Sequence, residues 1–96
     1  MFLVKQGVLR DEDLQWLSLK LEEWKPLGRR LNIEEARLTE FDEECGKKRE
    51  KIYKMLLHWK QANGAAATYM VLHDALCHPL VGRTDLAKEY CCQPHE

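Results

Sequence analysis

Apolar residues recur at helical spacing most clearly between residues 52 and 76. The first run places large apolar side chains at i, i+3, i+4 and i+7, namely Ile52, Met55, Leu56 and Trp59. This spacing puts them on one face of a helix. Asn63-Gly64 is predicted to end that helix, because glycine adopts the left-handed conformation without steric cost.

A second helical run follows almost at once, at Thr68, Val71, Leu72, Ala75 and Leu76. Two amphipathic helices joined by so short a connection are predicted to pack antiparallel. We therefore expect this pair to be the surface on which the shorter segments of the chain pack.

Two shorter helices are predicted upstream. Leu14, Leu17 and Leu21 follow the acidic start Asp11–Asp13 and indicate a first helix over about residues 11–21. The second opens at residues 22–26, where Pro26 is tolerated in a first turn. Its apolar stripe consists of Trp24, Leu27, Gly28 and Leu31. Glycine inside a helix costs about 1 kcal/mol relative to alanine, so Gly28 indicates the close approach of a neighbouring helix.

The remaining patterns predict a third and a sixth helix. Residues 34–41 form the third, after a helix stop at Asn32. Pro79 and Gly82 mark a loop over residues 77–82, and Thr84 is predicted to cap the sixth helix. No strand-period alternation is present, so the chain is predicted to be all-α. We expect a flexible leader over residues 1–10, a helical bundle over 11–92 and a tail over 93–96.

Composition limits the classes of function. The 96 residues suit one domain, with 45% hydrophobic and 32% charged residues. The formal net charge of −1 gives no general argument for binding nucleic acid or an anionic membrane. No apolar run reaches the roughly 18 residues of a membrane span, and residues 1–4 are too few for a signal peptide. We predict a cytoplasmic protein; the cytoplasmic tail of a receptor would have the same appearance.

Cysteine and histidine raise a metal-binding alternative. The four cysteines are predicted to be free thiols, because nothing indicates a secreted protein. A zinc site could draw on ligands from the last third of the chain: His73, Cys77, His78, Cys91, Cys92 and His95. Their spacing matches no compact zinc-finger pattern. The primary prediction is therefore no metal and no cofactor, with a zinc-stabilised helical domain as the alternative.

Two charge blocks of opposite sign are adjacent in sequence. Residues 34–44 carry six acidic residues against Arg37, and residues 47–51 carry four basic residues against Glu50. Together with Arg29 and Arg30, the basic block is the basis of a second alternative, a nucleic-acid-binding helical domain. No nucleophile motif or phosphate-cradling glycine loop is present, so no enzymatic activity is predicted.

Five segments, in order, resemble one known family. They are Trp24-Lys-Pro-Leu-Gly-Arg-Arg-Leu31, Tyr53-Lys-Met-Leu-Leu-His-Trp59, Asn63-Gly-Ala-Ala-Ala-Thr68, Leu72-His-Asp-Ala-Leu76 and Gly82-Arg-Thr-Asp-Leu-Ala87. Over about residues 12–91 the chain resembles the death domain. Trp24 and the Ala-Thr68 entry to helix five favour the death domain over related subfamilies with the same six-helix plan. The loop over residues 77–81 is longer than the family pattern.

The resemblance implies a six-helix antiparallel Greek-key bundle and a non-enzymatic protein-interaction module. Such modules assemble apoptotic or inflammatory signalling complexes by asymmetric homotypic contacts, in which a surface of helices one and four meets helices two and three of the next molecule. The expected partners are other death-domain proteins or further copies of this chain. Neither a small-molecule substrate nor nucleic acid is expected as a partner. Association with a membrane is expected only if the chain is part of a receptor tail.

Carried onto this chain, the resemblance implies a set of charged partner-binding residues. They are Lys25, Arg29, Arg30, Glu34, Glu35, Glu40, Asp42, Glu43, Glu44, Lys47, Lys48 and Arg49. Trp24 and Trp59 are predicted to lie in the core. For Trp16 two interpretations stay open: it covers the N-terminal segment, or it is an exposed anchor for a partner.

Overall fold

The computed structural model describes residues 2–94 and contains six α-helices and two short β-strands. The helices are α1 (Asp11–Lys20), α2 (Trp24–Arg30), α3 (Glu35–Glu44), α4 (Lys48–Asn63), α5 (Tyr69–Cys77) and α6 (Thr84–Cys91). The strands are β1 (Phe2–Val4) and β2 (Cys92–Pro94), and a 3-10 turn (Gly64–Ala66) joins α4 to α5. The six helices confirm the predicted all-α bundle. In the described part of the chain, every helix is too short or too polar to cross a lipid bilayer.

Local signals set the helix ends. α2 ends before Asn32, which has a φ of +64°, and α4 ends at Gly64, which has a φ of +53°. Both residues lie in the left-handed region, which asparagine and glycine tolerate best. The Thr68 hydroxyl accepts a hydrogen bond from the Val71 N–H at 3.3 Å and caps α5. The prediction that Thr84 caps α6 is wrong, because the helix already includes Thr84 and the cap is Arg83.

A single hydrophobic core joins all six helices. The α4 face predicted from sequence is buried, and α5 contributes Leu72 and Leu76 to the same core. Trp24 and Trp59 are buried as predicted. The expectation that α4 and α5 pack against each other is wrong: α4 packs on α1, α2 and α3, whereas α5 packs mainly on α6. The 3-10 turn lies between the two helices and lengthens their connection, so the very short connection that the prediction assumed is not present.

Gly28 lies where α2 meets α3 and α4. A Cβ atom added there would be 2.6 Å from Leu38 Cδ2 and 2.8 Å from Met55 Sδ. Both distances are shorter than side-chain atoms tolerate, so the structure confirms that this glycine permits a close helix approach.

The two strands are a finding that the sequence pattern did not predict. β1 and β2 pair antiparallel, with Leu3 opposite Gln93. Leu9 is buried, and its N–H donates to the Ala67 carbonyl at 3.1 Å. Three-residue strands are too short for alternation to be visible, and their partners are some 90 residues apart. The boundaries of leader, bundle and tail stay predictions; Met1, His95 and Glu96 lie outside the described residues.

Candidate protein-interaction surfaces

Asp42 joins three helices through two ion pairs. Its carboxylate lies 2.8 Å from Lys25 Nζ of α2 and 2.6 Å from Lys51 Nζ of α4. Hydrogen bonds from Lys25 and Lys51 lower the pKa of Asp42 to about 2. Lys25 and Asp42, predicted to bind a partner, therefore also bind each other within one molecule.

Four further residues of the predicted set form ion pairs, three of them on α3 and one on α2. The Arg29 guanidinium of α2 binds the Glu35 carboxylate, which raises the pKa of Arg29 and lowers the pKa of Glu35. Glu40 lies 3.2 Å from Arg37 Nη1. Glu44 lies 3.8 Å from Lys54 Nζ. The sequence could not indicate these ion pairs, because the partner of a charged side chain depends on how the helices pack.

The other six residues of the predicted set are exposed, and none has an ion-pair partner among the described side chains. They are Arg30, Glu34, Glu43, Lys47, Lys48 and Arg49. Three of them form a basic group at the start of α4, and two are acidic residues at the beginning and end of α3. We call these six the free charges.

α1 and α4 enclose an open groove that is lined by one of the free charges, Arg49. The groove has a volume of about 440 Å³, and its lining includes Leu19, Tyr53 and Arg49. Trp16 is 48% exposed and Leu19 is 54% exposed on the same helix. About half of the Trp16 side chain is thus exposed, and its role as an anchor for a partner stays a prediction.

Two tyrosines hold the beginning of α1 in place, and the sequence pattern did not single them out. The Tyr53 hydroxyl of α4 donates to Asp11, and the Tyr69 hydroxyl of α5 donates to Asp13. Burial and the neighbouring Asp13 carboxylate raise the pKa of Tyr69 to about 12. These contacts connect residues 42 and 56 positions apart, and they give the acidic start of α1 a second role besides favouring the helix dipole.

The cysteines are all free, as predicted. Burial raises the pKa of Cys91 to about 12, so this thiol is protonated at neutral pH and is a poor metal ligand. His73 Nε2 lies 3.8 Å from Cys77 Sγ. Between residues 2 and 94, no group of three or more His, Cys, Asp or Glu side chains could hold a metal ion. His95, raised as a ligand in the zinc alternative, lies outside this range.

Comparison with known proteins identifies the family. A comparison with curated proteins finds no match. The family model described as "Death domain" matches residues 11–90, which include α1 to α5, all but the last residue of α6 and both walls of the α1–α4 groove. The chain belongs to the death-domain family.

Proposed function

We propose that this chain is a cytoplasmic, non-enzymatic module that assembles signalling complexes of the apoptotic or inflammatory type. Death domains are homotypic protein-interaction modules, so the expected partners are other death-domain proteins or further copies of this chain. The observation that carries the proposal is the separation of the free charges. Basic ones begin α4, and acidic ones flank α3.

Opposite charges on different elements favour a head-to-tail contact. In this proposal, Lys47, Lys48 and Arg49 beside the α1–α4 groove meet Glu34 and Glu43 of the next molecule. Complementary charges steer such contacts and select their partners. Because each molecule uses two different surfaces, the contact is heterologous and growth need not close.

The paired residues of the predicted set have a different part in this proposal. Lys25, Arg29, Glu35 and Asp42 can contact a partner only by sharing or leaving an intramolecular ion pair. The free charges have no such pair to lose. We therefore propose that the free charges determine most of the affinity, and that the paired residues hold α2 and α3 in position beneath them.

Charge complementation between two variants tests the proposal. Lys48→Glu and Glu43→Lys should each abolish the salt-sensitive oligomers that the chain forms at low salt, because each places like charges in the contact. An equimolar mixture should again form oligomers in which the two variants alternate, since every contact between unlike variants brings opposite charges together. Lys88→Glu, an exposed lysine on α6 with no ion pair among the described residues, is the matched control. Size-exclusion chromatography with light scattering provides the readout.

Salt dependence separates the outcomes. The oligomers that depend on this charged contact should dissociate at high salt, because exposed charges are screened beyond about 3 Å at 1 M. A mixture that stays monomeric while the unchanged chain assembles would contradict the Lys48–Glu43 contact. A chain that is monomeric at every concentration and salt would contradict self-assembly and leave only partners with a different death domain.

A further inference from the structure

β1 has one paired edge and one free edge. The Lys5 N–H donates to the Cys91 carbonyl at 2.7 Å, and Leu3 lies opposite Gln93. In an antiparallel ladder, alternate residues direct their N–H and C=O groups to the partner strand. Leu3 and Lys5 therefore face β2, and Val4 and Gln6 face away from it. Outside the β1–β2 ladder, no backbone hydrogen bond within residues 2–94 reaches Val4 or Gln6.

The surface beside the free edge is apolar. Leu3 is 46% exposed and Met70 is 51% exposed, and together with Val4, Gln6 and Gln93 they line an open groove of about 540 Å³. Val8, which bridges to Thr68, and Val71 are exposed near the start of α5. Four of the seven exposed large apolar side chains between residues 3 and 93 thus lie around β1 and the first turn of α5. Such a concentration marks an interaction site.

We propose that β1 pairs antiparallel with β1 of a second copy of this chain. The pairing would join the two β1–β2 sheets into one four-stranded sheet and cover Leu3 and Met70 on both copies. It is a site of association separate from the free charges and goes beyond the proposed death-domain contact.

The chemistry of the edge selects the occupant. Free N–H and C=O groups at a sheet edge are a template for pairing with another strand, and Phe-Leu-Val has high strand propensity. β2 is a poor alternative, because Pro94 has no N–H to donate. The best-suited strand on the molecule for this edge is therefore β1 itself.

The charges along this edge also allow it to pair with the same edge of a second copy. With the two-fold axis at Val4, the Val4 N–H and C=O groups of the two copies bond reciprocally. Lys5 then lies opposite Leu3 of the second copy, so no like charges face each other. Lysine often protects an edge strand from pairing, but here the Lys5 ammonium lies over the Tyr69 ring, 5.4 Å from its centre.

This association differs from the charged contact in two measurable ways. It uses the same edge on both copies, so it closes at two. It rests on backbone hydrogen bonds and apolar contact, so salt that screens exposed charges leaves it in place. A dimer that persists at high salt therefore reports on β1, whatever the outcome of the charge-complementation experiment.

Two variants of β1 and one control test the proposal. Val4→Pro removes the outward N–H and leaves the bonds of Leu3 and Lys5 to β2. Leu3→Lys places a charge in the apolar groove of both copies. Leu80→Lys makes the same change at an exposed position in the loop between α5 and α6, where the side chain is 68% exposed. Light scattering at about 0.5 M salt, where the screening length is a few ångströms, measures the monomer–dimer equilibrium over the micromolar range.

The unchanged chain and Leu80→Lys should form dimers with the same dissociation constant. Each β1 variant should raise that constant by roughly tenfold or more, a difference of about 1.4 kcal/mol or more. Thermal unfolding of each variant verifies that it folds. Val4 packs partly against the core, so Leu3→Lys decides the result if Val4→Pro fails to fold. A chain that stays monomeric at high salt, a dimer that Leu3→Lys leaves intact, or growth beyond two copies would overturn the proposal.

Discussion

Gly28, a single residue, lowers the intrinsic stability of its own helix but allows that helix to pack closely against its neighbours. Glycine weakens α2 by about 1 kcal/mol relative to alanine. In return, α2 approaches Leu38 of α3 and Met55 of α4 more closely than any side chain would allow. The sequence indicated this role, because glycine in a regular apolar stripe weakens the helix without benefit unless a neighbour occupies the space of the missing side chain.

Gly28→Ala should destabilise the protein despite its better helix propensity. Overpacking costs about 1–3 kcal/mol, and the propensity gain of about 1 kcal/mol offsets part of it, so we expect a net loss of up to about 2 kcal/mol. Urea unfolding followed by tryptophan fluorescence, to which the buried Trp24 and Trp59 contribute, measures this loss.

Gly46→Ala is the matched control, because an added Cβ there would have no neighbour within 4 Å. It should leave the free energy of unfolding unchanged or raise it slightly. A Gly28→Ala protein as stable as the control would show that Leu38 and Met55 move aside without cost.

Among helical elements, the periodic pattern predicted most of the buried positions but not which helices touch. Val71, which belongs to the predicted α5 stripe, is 42% exposed. Ile52 and Leu72 lie in the core as expected, because 3.6-residue spacing fixes a face. The prediction of an α4–α5 contact was wrong, because helix pairing depends on the direction in which the chain leaves the 3-10 turn. The two strands were not predicted, because their pairing is non-local and each strand covers only three residues.

The ion pairs of Asp42 that link α3 to α2 and α4 should be lost in acid. The pKa of Asp42 is about 2 when folded against 3.8 for an ordinary aspartate. Between these two values the unfolded chain binds more protons, so the stabilisation is complete above about pH 4 and is lost as the pH falls to about 2. Asp42→Asn should lower the free energy of unfolding at pH 7, and its difference from the unchanged protein should narrow over that interval.

Glu43→Gln, the next residue on α3, is the control because Glu43 has no ion pair among the described residues. Its free energy of unfolding should follow that of the unchanged protein at pH 7. Urea unfolding at pH 7, 4 and 2 measures both variants. A constant difference for Asp42→Asn across that range would mean that the ion pairs with Lys25 and Lys51 do not stabilise the fold.

At the scale of the whole molecule, the structure distinguishes charged side chains that form intramolecular ion pairs from exposed ones that form none among the described residues. From the sequence alone, the twelve predicted partner-binding residues formed one set, because a block of charged residues shows the sign of the charge but not which side chains form ion pairs. Tertiary packing assigns Lys25, Arg29 and Asp42 to intramolecular pairs and leaves the free charges exposed. The resemblance indicated the surfaces, and only the packed helices distinguish the residues within them.

Two adjacent arginines test this separation. Arg29→Ala removes the ion pair with Glu35 and should lower the midpoint of thermal unfolding. Arg30→Ala removes a free charge, so it should leave the midpoint unchanged and weaken low-salt assembly measured by light scattering. Equal midpoints for the two variants would contradict the assignment of Arg29 to the fold.

The β1–β2 ladder also determines how the molecule responds to tension. Phe2 lies opposite Pro94, so both ends of the described chain leave from the same end of the ladder. A force that draws these two residues apart acts on one rung at a time and unzips the strands, rather than shearing every rung together. The ladder is therefore expected to open first, while the buried faces of α4 and α5 still hold the helices together.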